Sequence, residues 1–317
     1  MKTNIYILSI IISLFTIQLN AQSNEKLIIK AKQLKKENKI NEAMKIINQV
    51  LEQDSRDTEA IVLKTSLLFY HKKKYQDAYD FISKALKDQP NNPILLSQRG
   101  LILAQLSKFD LAKNDLKNAI NGLKNVKDIS IKCKSYKDIG TLAGYLRRNM
   151  ESYEYLKKAM NCNPNNSEIY INLAATCFDI NKTDEGIDYL MKASKIDPNN
   201  FMIYGNLGFA YQEKGNYKLA IDYFNKALKL KPNNPQTIGN IAYNQYKLGK
   251  LSIALKNINK SIELYPENSY SYRTRALIYL AMKKKKKACN DIETALDKHY
   301  TEYHGNAAQE FKNKNCK

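Results

Sequence analysis

Large apolar residues recur in this chain at positions 4, 7, 11 and 24 of a 34-residue block, with small residues at positions 8 and 20 and polar residues between them. From Asn200 to Asn234 the large set is Tyr204, Leu207, Tyr211 and Phe224, the small set is Gly208 and Ala220, and Pro232 closes the block. One block earlier the same places hold Tyr170, Leu173, Cys177 and Leu190, then Ala174 and Gly186, then Pro198. The spacing i, i+3, i+4, i+7 marks one face of an amphipathic helix. Each block therefore predicts two helices, and the small residues let their backbones approach closely.

Between blocks, proline stops one helix and the asparagines after it offer side-chain acceptors to the next, as in Pro90-Asn91-Asn92 and Pro164-Asn165-Asn166. The repeated Pro-Asn-Asn is thus read as punctuation and not as a ligand motif. A single hairpin buries little, so a block of this kind needs neighbours on both sides.

These residues match the tetratricopeptide repeat pattern, and the chain resembles that family over nearly its whole length. The resemblance implies an all-α fold, a right-handed α-solenoid of about eight helical hairpins with a C-terminal capping segment. Repeat starts fall near Asn24, Glu59, Pro93, Cys133, Ser167, Phe201, Pro235 and Ser269, with residues 301–317 as the cap. Six extra residues around Lys127 to Lys132 are expected to lengthen the connection between the third and fourth repeats.

The first 21 residues differ in kind: Lys2, an apolar run from Ile5 to Ile17, then a polar boundary at Gln22. This reads as a signal peptide cleaved after Ala21, and hence as export to the periplasm, envelope or exterior. The apolar run is shorter than the roughly 20 residues that span a bilayer.

Fifty-one Lys and Arg against 31 Asp and Glu make the chain strongly basic. For an exported protein that balance points away from nucleic acid and towards an acidic peptide or polymer or an anionic membrane surface. Much of the charge falls on the turn inside each hairpin, most densely at Lys283, Lys284, Lys285, Lys286 and Lys287. Such lysines are either simply solvated or form a rail for an acidic partner.

In this family the first helix of each repeat lines the inner groove. Position 6 is Asn172, Asn206 and Asn240 in three consecutive repeats. This resembles the asparagine ladder of the repeat domain in O-linked N-acetylglucosamine transferase. By that resemblance the carboxamides hold the backbone of an extended peptide, since each offers a donor and an acceptor. The same residues have a plainer use, bonding within the scaffold or to water. Phe209, Tyr243, Tyr246 and Tyr270 would supply contact area, with Lys137 and Arg273 as the basic groove groups. Lys137 followed by Asn172 also matches part of the carboxylate clamp of some tetratricopeptide domains, although Thr141 stands where the clamp has Asn.

Five cysteines suit an oxidising compartment. Cys133 and Cys162 lie at the same end of one antiparallel hairpin, so a bridge between them is geometrically open. Cys289 and Cys316 resemble the closing pair of exported bacterial repeat proteins whose last helix folds back as a cap; free thiols are the alternative. His299 and His304 have the wrong spacing from Cys289 for a zinc finger, so no metal is expected. No catalytic signature and no cofactor motif occurs, which leaves a non-catalytic scaffold that binds a peptide or protein in its groove. The second reading is a structural subunit of an envelope assembly, docked through its basic turn edge.

Overall fold

The computed structural model describes residues 23–316. The expected signal peptide lies outside them. Every regular element among the described residues is helical, and the helices pack as consecutive pairs in an all-α solenoid. The chain divides into two compact units at Pro164 and Asn165.

The first unit holds α1 (23–36), α2 (Ile40–Gln53), α3 (Thr58–Ser66, continued by a wide turn at Leu67–His71), α4 (Tyr75–Asp88), α5 (Pro93–Gln105), α6 (Phe109–Lys124), α7 (Ile129–Tyr145) and α8 (Asn149–Cys162). The second holds α9 (Ser167–Asp179), α10 (Thr183–Ile196), α11 (Phe201–Glu213), α12 (Tyr217–Leu230), α13 (Pro235–Lys247), α14 (Leu251–Leu264), α15 (Ser269–Ala281), α16 (Lys285–Asp297), α17 (Tyr300–His304) and α18 (Ala307–Asn315).

Local chemistry sets both ends of each hairpin. At the start of the first helix, Asp57, Asn92, Asp128, Asn166, Asn200, Asn234 and Asn268 each accept a hydrogen bond from a backbone N–H of the first turn. At the turn between the two helices, one residue adopts a left-handed conformation: Asn38, Lys73, Ser107, Arg147, Asn181, Gly215, Gly249 and Lys283, with φ between 52° and 74°. Only two of these eight are glycine, the residue that meets no steric penalty there.

Inside the hairpins, Ala43, Ala78, Ala112, Ala220, Ala254 and Ala288 are fully buried. A Cβ added to Gly208 would lie 2.7 Å from the Phe224 ring, so the small residue at position 8 is what admits the large one at position 24. In the first unit the main core runs through Ile82, Leu95, Leu103, Leu116, Ile139 and Leu142.

The six extra residues between the third and fourth repeats do not form a longer loop, which corrects the expectation from sequence. They extend the flanking helices: α6 has 16 residues where α12 has 14, and α7 has 17 where α9 has 13. Helical residues satisfy their own backbone groups, whereas a longer loop would leave them to solvent. The second repeat starts at Thr58, one residue before the expected Glu59, and its extra residue is absorbed differently, by the wide turn at the end of α3, where the Lys72 N–H donates to Leu67 O at 3.0 Å.

Two position-7 residues are arginine where four other hairpins place the apolar Ile139, Leu173, Leu207 and Ile241. Arg99 donates twice to Asp115, at 2.8 and 2.6 Å, and Arg275 donates twice to Asp291, at 2.7 and 2.7 Å. Asp115 is almost wholly buried, with 2% of its side chain exposed. A forked guanidinium is the group that can satisfy both oxygens of a carboxylate removed from water.

Candidate functional site

The expected groove residues fall in both units. Lys137, on α7, belongs to the first; its ammonium stands 3.6 Å from Asp138, and the Thr141 hydroxyl donates to the Lys137 carbonyl. The rest share the second unit, on its first helices α9, α11, α13 and α15.

Asn172, Asn206 and Asn240 occupy equivalent positions on α9, α11 and α13, all half-buried. Two other carboxamides, one on α11 and one on α13, behave otherwise. Gln212 is buried and accepts a 2.7 Å hydrogen bond from Asn244, whose amide also donates to the Asn240 carbonyl. Gln212 and Asn244 therefore belong to the scaffold. The side chains of Asn206 and Asn240 make no such bond among the described residues.

Around Asn206 the surface is open and apolar. Phe209 is 49% exposed and Met202 51%, and a Cβ built on Gly205 meets nothing within 4 Å. Glycine inside a helix costs stability relative to alanine, and no packing partner here requires it. Met202 is an exposed apolar residue beside Asn206 that the expected groove set left out; its place at position 2, one turn before Asn206, is the signal that could have found it.

Towards the C-terminal end the face becomes aromatic and closed. Tyr243 lies 6.2 Å from Tyr246 and 6.3 Å from Tyr270, centroid to centroid. Tyr270 in turn packs under His304, at 5.8 Å, and Tyr300 packs on His304 at 4.9 Å. Burial raises the pKa of the Tyr270 and Tyr300 hydroxyls, and it lowers that of His304, with the Arg273 charge adding to the same effect. The Arg273 guanidinium stands 5.7 Å from the Tyr300 ring, with its Nε buried and without a hydrogen-bond partner among the described residues. The chain's own segment α17 thus covers Tyr270 and Arg273, whereas Asn206, Phe209 and Asn240 stay accessible.

Both cysteine pairs are bridged, Cys133 to Cys162 and Cys289 to Cys316, and Cys177 is a buried free thiol. The second bridge fastens the end of α18 to the first half of α16. Lys283 to Lys287 are all exposed, and none takes part in an ion pair among the described residues. No group of His, Cys, Asp and Glu suited to a metal occurs among the described residues. No described helix is long and apolar enough to cross a membrane.

Two stretches of the sequence match models described as tetratricopeptide repeat, residues 202–234 and 155–188. Among solved structures, the fold is similar to the APC/C hetero-tetramer Cut9-Hcn1, at 15% identity and a TM-score of 0.71, over 89% of this chain and 54% of that one. It is also similar to a tetratricopeptide repeat protein from Parabacteroides merdae, at 17% identity and a TM-score of 0.61, over 82% of this chain and 99% of that one. No curated protein matches the sequence.

Proposed function

We infer that this chain, which is a tetratricopeptide repeat protein, is a non-catalytic protein-interaction scaffold that holds an extended peptide on the first-helix face of its second unit. The observation that carries this reading is the contrast between two sets of carboxamides. Asn244 donates one hydrogen bond to Gln212 and another to the Asn240 carbonyl. The Asn206 and Asn240 side chains keep theirs, one repeat apart, beside exposed Phe209 and the open space at Gly205.

An extended peptide presents N–H and C=O groups along its length, and a primary amide answers either. Phe209 and Met202 give apolar contact, while the missing side chain at Gly205 lets a ligand backbone come near the helix. The covered Tyr270 and Arg273 end the binding face, so the ligand lies over α9, α11 and α13. Two disulfides in one chain support an oxidising compartment, in keeping with the export expected from the first 21 residues.

The test is selection of a random peptide library on the full chain, followed by affinity measurement on the enriched sequences. Replacing Asn172, Asn206 and Asn240 together by Ala is expected to weaken binding at least roughly tenfold with helicity unchanged, since each lost bond is worth about 0.5–1.5 kcal/mol. Gly205→Leu fills the open space and is expected to abolish it. Equal binding by the triple variant and by Gly205→Leu would remove the groove from consideration.

A further inference from the structure

The hairpin turns of the second unit grow more basic towards its end. Residues 213–219 carry one net positive charge, 247–253 carry two, and 281–287 carry five. In the last turn the charge is placed against local preference. Lys283 holds a left-handed conformation that Gly215 and Gly249 occupy in the two preceding repeats. Lys285, Lys286 and Lys287 fill the first turn of α16, where α2, α4, α6, α8 and α10 each carry an acid. A helix N-terminus is the positive end of the helix dipole, so three ammonium groups there repel both it and one another.

Nothing in the fold compensates. The five side chains are exposed and outside every ion pair among the described residues. The nearest stabilising contact is the Lys287 ammonium 5.7 Å from the Tyr279 ring. Meanwhile the Cys289–Cys316 bridge brings a second basic element to the same corner. It joins Cys316, just after α18, to Cys289, the third residue past Lys286 on α16, and exposed Lys314 stands two residues from that bridge. Local rules are broken where something outside the fold repays the cost.

We propose that this disulfide-held corner, Lys283 to Lys287 with Lys314, docks the protein on an anionic lipid bilayer. The corner's form favours a surface over a polypeptide partner. It lies at the turn between α15 and α16, and no apolar side chain is interleaved in the run from 283 to 287 to anchor a peptide. It contains no arginine either. The chain uses Arg99 and Arg275 where it needs a structured carboxylate pair, and flexible lysines here, which suit a diffuse field of headgroup charge.

Vesicle flotation of the full mature chain tests this. Wild-type protein is expected to float with vesicles of phosphatidylcholine containing about 30% phosphatidylglycerol at about 50 mM salt, and to stay behind with pure phosphatidylcholine or at about 500 mM salt. Replacing Lys283 to Lys287 by Gln is expected to reduce partitioning by roughly a hundredfold, and Cys289→Ser with Cys316→Ser by a smaller factor, because Lys314 is then released. All five replaced side chains are exposed, and circular dichroism checks that the variant folds. Wild type that ignores anionic vesicles, a glutamine variant that floats equally well, or binding to polyglutamate without binding to vesicles would each overturn the proposal.

Discussion

Replacing Ser107 by glycine should make the first unit more stable. Ser107 is exposed, sits at φ 60° between α5 and α6, and contributes only its backbone N–H, to Ala104 O at 3.1 Å. A side chain in the left-handed region costs about 1–2 kcal/mol. Glycine removes that cost but loses about 0.5–1 kcal/mol through the greater freedom of its unfolded chain. The net gain expected for Ser107→Gly is therefore about 0.5–1 kcal/mol, or roughly 1–4 °C for a unit of this size. The mirror experiment is Gly215→Ala, in which a Cβ meets nothing within 4 Å, so that only the backbone conformation at φ 74° is perturbed. It should destabilise by about 1 kcal/mol. Urea unfolding followed by helical circular dichroism reads both, with midpoints compared at constant slope. If Ser107→Gly lowers the midpoint while Gly215→Ala leaves it unchanged, the turn residues are not strained and the reasoning fails.

Three further outcomes are expected. Asp115→Ala strands Arg99 beside an empty space and should cost about 3–5 kcal/mol, whereas the double change Arg99→Leu with Asp115→Tyr, which copies Leu207 and Tyr223 of the sixth repeat, should recover most of it in the same unfolding assay. Loss of the Cys289–Cys316 bridge, by Cys316→Ser, should lower the stability of the C-terminal helices by about 3 kcal/mol, read as faster amide exchange in α17 and α18. His304 has a folded pKa below its unfolded value, so it binds protons more readily when unfolded. The packing of α17 should therefore hold above about pH 6.5 and weaken as pH falls through the lower folded value, a dependence that His304→Phe removes and that ring-proton NMR can follow.

The hairpin architecture is legible in the sequence because its signals are local and repeated. Pro232 and Asn234 act on the next few residues, and Gly208 and Phe224 are spaced by a fixed distance within one hairpin. What the periodicity conceals depends on partners in space. That six inserted residues lengthen α6 and α7 follows from backbone hydrogen bonding and has no mark of its own in composition. Arg99 and Arg275 look like departures from an apolar position until Asp115 and Asp291, each 16 residues later, are seen to face them. The row Asn172, Asn206 and Asn240 was readable in the sequence, but the cover over the helix face beyond it was not. Tyr270 and Arg273 carry the right positions, and only the return of α17 shows that they are covered. Gln212 and Asn244 share the chemistry of Asn206 and Asn240, and only their mutual hydrogen bond separates scaffold from surface.

The bridge between Cys289 and Cys316 also decides how the molecule would respond to being pulled. Tension applied beyond Cys316 passes through sulfur directly into α16 and bypasses the 26 intervening residues, which include all of α17 and α18. Those helices carry no load and cannot be peeled away one at a time. In a stretching experiment they should add no length to the extension until a reductant is supplied, so that rupture from this end begins at a whole hairpin.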